Sequence, residues 1–256
     1  MNTSGRSTRP GGRRVLFVDP PSVVQEHMVH FLVTAQYEAA IIKDHRVVQA
    51  VLSRFPKSVV YFNGDSRLGH GSLDQIIRAV IGGRDRHGAD VGVLSYNESK
   101  DMAQHYLMDM GVTCGYITLN IGFEKSARII MKALEAAEAR GDRKYVRVTV
   151  PTGRGKFNVN LNAREKTIAG TIFDISEVGM ACRLVEDFPN GTVFPDVQLQ
   201  LWGSLCRVSG TVAGKRDTPD GPVTVMMFDP ITESSTRGKI YAFLKRVMQH
   251  EVDAVL

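Results

Sequence analysis

Residues 140–147 read RGDRKYVR, and four of these eight side chains are cationic. Arg143 and Arg147 stand four apart, and about 27 residues later DISEVG supplies Asp174, Ser176 and Gly179. Guanidinium forks chelate phosphate oxygens or lie flat on a base, and a carboxylate accepts N–H donors. Ser176 offers a compact hydroxyl. Gly179 permits a tight turn and a close ligand approach because it has no Cβ. Lys144 and Arg154 add cations to the same stretch. The chemistry on offer is anion binding at a joint. A solvated basic linker competes for the arginines, and an ordinary β-turn competes for DISEVG.

Other chemistry is thinly represented. No Ser-His-Asp order, paired carboxylates or nucleophilic cysteine stands out, so an enzyme is not expected and no residue is assigned a catalytic role. His27 and His30 are i, i+3 on a helical segment but lack a third ligand, so no metal is expected. GRGK (153–156) lacks the spacing and the following Ser/Thr of a phosphate loop. Trp202 falls in an apolar run and reads as core. Cys114, Cys182 and Cys206 are odd in number, far apart and without a CxxC pair, which fits reduced core thiols.

The charge distribution supports a local site over a broad basic face. Residues 1–14 carry four cations and no acid, and residues 140–166 carry eight against two. Residues 15–139 and 167–256 are each slightly acidic. The net charge of +5 therefore sits in the tail and at the joint, which does not indicate DNA. The first 13 residues read as a disordered basic tail. No run approaches the roughly 18 apolar residues of a membrane helix, and the N-terminus has no secretory signal, so a cytoplasmic protein is expected.

Two halves with different periodicities position these residues. Over 14–140, short apolar runs (VLFV, AAII, VVYF, VGVLS, CGYITL) alternate with helical patterns. Five β-α units predict a flavodoxin-like, doubly wound parallel sheet. From KFNVNLNA (156–163) onward, strict alternation and Gly/Pro/Asn punctuation predict a small antiparallel β-barrel. A closing helix near 231–250 places Ile240, Phe243, Leu244, Val247 and Met248 on one stripe. The fold class is thus α/β plus mainly β, with the arginine-bearing linker at 141–155 opening the second domain, 141–256.

The first half resembles a response-regulator receiver domain, over roughly residues 13–140. Receivers carry an acidic pair after the first strand, but VDPP keeps only Asp19. The phosphoacceptor aspartate should end the third strand, where VVYFN places Asn63. Ser95 suits the hydroxyl position, and the lysine expected after the fifth strand is absent from YITLN. An amide cannot form an acyl phosphate, and one acid is a poor Mg²⁺ site. Asp65 is the acceptor only if the register shifts. The expectation is a pseudo-receiver that contacts a protein partner, with an unrelated flavodoxin-like domain as the competitor.

RxxxR followed by (D/N)xSxxG, ahead of a small barrel with a closing helix, resembles the PilZ domain, the bacterial receptor for cyclic di-GMP. The resemblance covers about residues 141–250. It implies a non-enzymatic receptor with no cofactor, whose ligand is cyclic di-GMP. Arg143 and Arg147 would take phosphates or guanine edges, and Asp174 the guanine N1–H and N2–H₂. Binding would then change the domain arrangement and partner contacts, with motility, adhesion, biofilm and exopolysaccharide control as the processes the family implies. Asp142 stands where many family members have a further arginine, so one or two ligands per site both stay open, as does an oligomer. The alternatives are a PilZ-fold scaffold that has lost nucleotide binding, and a phosphorylation-dependent response regulator.

Overall fold

Val15–Val18 (β1), Ala39–Ile42 (β2) and Val59–Asn63 (β3) are apolar runs without a polar face, and such strands need cover on both sides. They receive it in a parallel sheet of order β2-β1-β3-β4-β5, completed by Asp90–Ser95 (β4) and Tyr116–Thr118 (β5). The computed structural model describes residues 12–161, 166–219 and 221–255. Between the strands run α1 (Val29–Thr34, entered through a π-turn), α2 (Val48–Arg54), α3 (His70–Gly82), α4 (Arg84–His87) and α5 (Lys100–Gln104). A final helix, α6 (Phe123–Ala136), follows β5. The strand order reverses at β1, which is the flavodoxin-like arrangement and puts strand-end loops together.

The described chain divides into two units. One comprises residues up to Lys144 together with Met248–Leu256, and the other Tyr145–Val247. Much of the basic tail expected over residues 1–13 lies outside the described residues, as does Asn162. Arg13 is described and is tied down: its guanidinium donates to Asp90 Oδ2 at 2.6 Å and to the carbonyls of Lys57 and Ala137, both at 2.5 Å. The partners are 44 to 124 residues away in the chain, which is why local composition reads this arginine as tail.

In the second unit, polar/apolar alternation produces antiparallel strands: β6 (Val148–Thr149), β7 (Gly155–Leu161), β8 (Lys166–Ser176), β9 (Gly179–Leu184), β10 (Val193–Leu201), β11 (Ser204–Arg216) and β12 (Val223–Phe228). Six of them close a ring, β8-β7-β10-β11-β12-β9 and back to β8, while β6 adds onto β8. Closure removes the free edges that a small sheet would expose. The long helix α7 (Ser234–Asp253) buries Ile240, Phe243, Leu244, Val247 and Met248 at 3% exposure or less, the stripe its spacing predicts. Glu233 anchors its start by accepting the hydroxyls of Ser235 and Thr236.

The final residues of α7 belong to the first unit, and they complete its open edge. Gln249 Nε2 donates to the Ile41 carbonyl and its Oε1 accepts the Ile41 N–H, both at 2.8 Å. A side-chain amide thereby stands in for a neighbouring strand at β2, the edge of the sheet. Glu251 accepts from Arg14 at 2.7 Å, and Val252 joins the cluster built on Leu16, Val18 and Val60. No helix among the described residues is long and apolar enough to cross a membrane.

Cys114, Cys182 and Cys206 are all free and buried. Burial pushes the Cys182 thiol up to about 12 and the Cys114 thiol up to about 11, and raises Cys206 as well. The neutral thiol therefore dominates at neutral pH, and the nucleophilic thiolate is scarce. A thiol-reactive aromatic disulfide at pH 8 should leave the native protein unlabelled and modify three thiols after denaturation. Rapid stoichiometric labelling of the native protein would contradict this burial.

Gly179 serves the sheet. A Cβ there would lie 2.5 Å from the Met226 carbonyl oxygen of β12, and backbone cannot swing aside as a side chain can. Gly179→Ala should lower stability by about 1–3 kcal/mol through strand separation, read as a shifted urea midpoint. An unchanged midpoint would mean that the close approach is not what selects glycine.

Candidate functional site

The DISEVG segment forms the β8–β9 hairpin. Ser176 pairs with Gly179, and the two residues between them make the turn. Ser176 is 1% exposed, and its hydroxyl donates to the Gly179 carbonyl at 3.2 Å. The spacing of serine and glycine is therefore that of a closed two-residue hairpin. Just before it, the β8–β9 register shifts between Ile172 and Asp174. Such a bulge re-aims the side chain that follows it.

Asp174 is only 6% exposed, and a buried carboxylate is tolerated when cations or hydrogen bonds answer it. Two arginines do so. Arg147 Nε stands 3.7 Å from Oδ1, and Arg216 Nη2 donates to Oδ2 at 2.5 Å. Arg147 is placed by β6, whose Val148 and Thr149 pair with Ile175 and Asp174. Continuing that register puts Arg147 opposite Ser176. Both guanidiniums remain about a third exposed, at 36% and 37%, so the site presents cationic donors over a buried acid.

The other cations of the joint are placed differently. Arg143 and Lys144 belong to the first unit, Arg147 to the second. Arg143 contributes to the field at Glu38, whose carboxyl burial pushes up while Arg14 and, more weakly, Arg143 pull it down. Arg154 stacks on Trp202, its guanidinium carbon 5.0 Å from the ring centroid, with Arg246 at 4.4 Å from the same ring. The Trp202 backbone N–H also donates to the Arg154 carbonyl at 2.8 Å. Trp202 is not in a strand, as its apolar run suggests. It and Gly203 form the β10–β11 turn with φ of 51° and 91°, the left-handed pair of a two-residue hairpin.

In the first unit the strand-end loops hold a self-contained polar network. Asn63 Nδ2 donates to the Asp19 carbonyl at 2.8 Å, and its Oδ1 accepts the Asp65 N–H at 3.1 Å. Asp65 accepts the Ser95 hydroxyl at 2.8 Å and the Tyr96 N–H at 2.6 Å. Ser66 donates to Asp19 Oδ2 at 3.2 Å. Asn63 therefore bridges two loops by donating and accepting at once, which a carboxylate could not do. No cluster of three or more candidate metal ligands exists among the described residues.

Arg216 is the site residue that sequence reading passes over. It stands in AGKRD at the end of β11, and β11 lies opposite β8 in the six-strand ring. Its partner is 42 residues away. The only local signal is a pair of cations, Lys215 and Arg216, closing an apolar alternation. Asp65 reads in the sequence only as an alternative acceptor, and its hydroxyl and backbone donors come from the end of β4, 30 and 31 residues on.

No family model matches the chain, and no curated protein matches it. Among solved structures, Escherichia coli YcgR in complex with c-di-GMP is similar at 16% identity and TM-score 0.38, over 46% of this chain and 52% of that chain. The chain thus spans about half the length of that structure. The PilZ domain of E. coli YcgR with c-di-GMP gives 19% identity and TM-score 0.35, over 44% and 98% of the two chains. The Vibrio cholerae chemotaxis protein CheY4 gives 20% identity and TM-score 0.39, over 49% and 98%. The solved structures that this chain is similar to include PilZ-domain and CheY proteins, the two families that its halves resemble in sequence.

Proposed function

We propose that this chain is a non-enzymatic receptor for cyclic di-GMP. The observation that carries the reading is Asp174, a buried carboxylate on DISEVG facing an arginine of RxxxR, about a third exposed, at 3.7 Å. A guanine presents N1–H and N2–H₂ side by side, and a carboxylate accepts such a pair with its two oxygens. Phosphodiester oxygens and the O6/N7 edge suit arginine forks. In this reading Arg147 supplies the fixed guanidinium, and Arg143 and Lys144 reach the ligand from the segment leading into β6. Ser176 and Gly179 shape the hairpin beneath it. Capture of the linker cations orders that segment, a local change that biases a partner-binding surface. The first unit then acts as a protein-contact module in the cytoplasm.

A second reading has support of its own: a PilZ-fold scaffold without a ligand. The Ser176 hydroxyl already bonds Gly179, and Asp174 already bonds Arg216. Isothermal titration of the full chain with cyclic di-GMP separates the two. The receptor reading expects micromolar binding, about −8 kcal/mol. Arg147→Ala removes a charge-assisted contact and should weaken binding about ten- to a hundredfold. Circular dichroism should be unchanged, since Arg147 is partly exposed. A folded Arg147→Ala that binds like wild type would overturn the assignment.

Phosphorylation is the other outcome to test. With Asn63 at the strand end and Asp65 engaged by Ser95 and Tyr96, acetyl phosphate plus Mg²⁺ should add no mass to the intact protein. A single phosphoryl addition that disappears in Asp65→Asn would make the first unit a working receiver.

A further inference from the structure

The tightest partner of Asp174 is Arg216, an arginine outside both sequence motifs. Its Nη2 lies 2.5 Å from Oδ2, whereas Arg147 Nε is 3.7 Å from Oδ1. The Arg216 guanidinium also lies against Phe173, its carbon 5.9 Å from the ring centroid. Phe173 immediately precedes Asp174 on the bulged stretch of β8. One guanidinium is thus held by a ring and a carboxylate that are neighbours in the chain. Arg216 arrives from β11, three strands from β8 by either route around the ring. It therefore answers Asp174 from a strand that does not pair with β8, while Arg147 answers it from β6.

This geometry has a consequence for any ligand that uses Asp174. A base edge with two parallel N–H donors needs both carboxylate oxygens, and Arg216 occupies one of them. The guanidinium must leave Oδ2 before such an edge can dock. It does not then face an apolar wall, because Arg216 remains 37% exposed at the strand end. A displaced arginine beside an arriving dianion retains its planar set of N–H donors, which match phosphate geometry. The linker offers no third arginine of its own next to Arg143, since residue 142 is Asp.

We propose that Arg216 is a third ligand-contacting arginine of the site: it covers Asp174 when the site is empty, and moves to a phosphodiester or guanine edge when cyclic di-GMP binds. The inference rests on the cyclic di-GMP reading above. The exchange leaves Asp174 neutralised at both stages, first by Arg216 and then by Arg147 together with the base donors. It also makes the closed form specific, because a ligand without paired donors for Asp174 cannot displace the guanidinium.

The test is titration of the full chain with cyclic di-GMP, for wild type, Arg216→Ala and Arg216→Lys, at two salt concentrations. Arg216→Ala should bind about ten- to a hundredfold more weakly, with a shallower salt dependence because one cation fewer meets the anion. Arg216→Lys keeps the charge without the fork, and should fall between the two. If Arg216 only neutralises Asp174, the alanine variant loses thermal stability yet binds with unchanged affinity. If it only competes with the ligand, that variant binds more tightly. Either result overturns the inference and leaves the receptor reading standing. Should Arg216→Ala not fold, the lysine variant decides: affinity equal to wild type overturns the proposal. Absence of binding by the wild type overturns the receptor reading itself, and this inference with it.

Discussion

A carboxylate buried to 6% exposure cannot stand alone, and in the second unit the need to answer Asp174 organises much of what surrounds it. Desolvating a charge costs several kcal/mol unless it is paired. The barrel meets this with a bulge that aims the side chain, a short strand that delivers Arg147, and a strand opposite that delivers Arg216. Remove the acid and two guanidiniums lose their anchor. Remove the arginines and the acid is stranded in a low-dielectric setting. The arrangement is also what makes the surface useful: the acid is hidden, and its cations are the part that solvent and ligand can reach.

The first unit answers its own polar groups differently. Asp65 is satisfied by a hydroxyl and a backbone N–H, not by a cation, and Asn63 links the loops after β1 and β3 with one donor and one acceptor. Each bond closes within the loops at the strand ends. Such a network rigidifies the place where doubly wound sheets usually hold their chemistry. The same economy appears at the sheet edge, where Gln249 satisfies both backbone groups of Ile41.

Much of this was legible in the order of residue types. Apolar runs of four or five without a polar face, such as VLFV and VVYF, require a covered parallel sheet, and they form one. Strict alternation in KFNVNL requires a strand with one buried face, and Phe157 and Val159 are buried at 2% or less. The stripe on α7 follows from helical spacing alone. The hairpin spacing in DISEVG also follows from local rules, because a two-residue turn fixes which residues pair.

What local order cannot express is which distant group answers a given charge. Arg13 reads as tail and is bound to Asp90, 77 residues away. Trp202 reads as core and makes the turn, because Leu201 pairs with Ser204 and leaves Trp202 and Gly203 between them. Arg154 reads as an added cation of the basic joint and lies on the Trp202 ring. Arg216 carries no motif, yet it bonds Asp174 at 2.5 Å, because the closed ring brings the end of β11 to Asp174 of β8. Periodicity, turn chemistry and motif spacing are short-range and belong to the sequence. Charge pairing is long-range: it depends on which strands close the ring, and only the tertiary structure decides that.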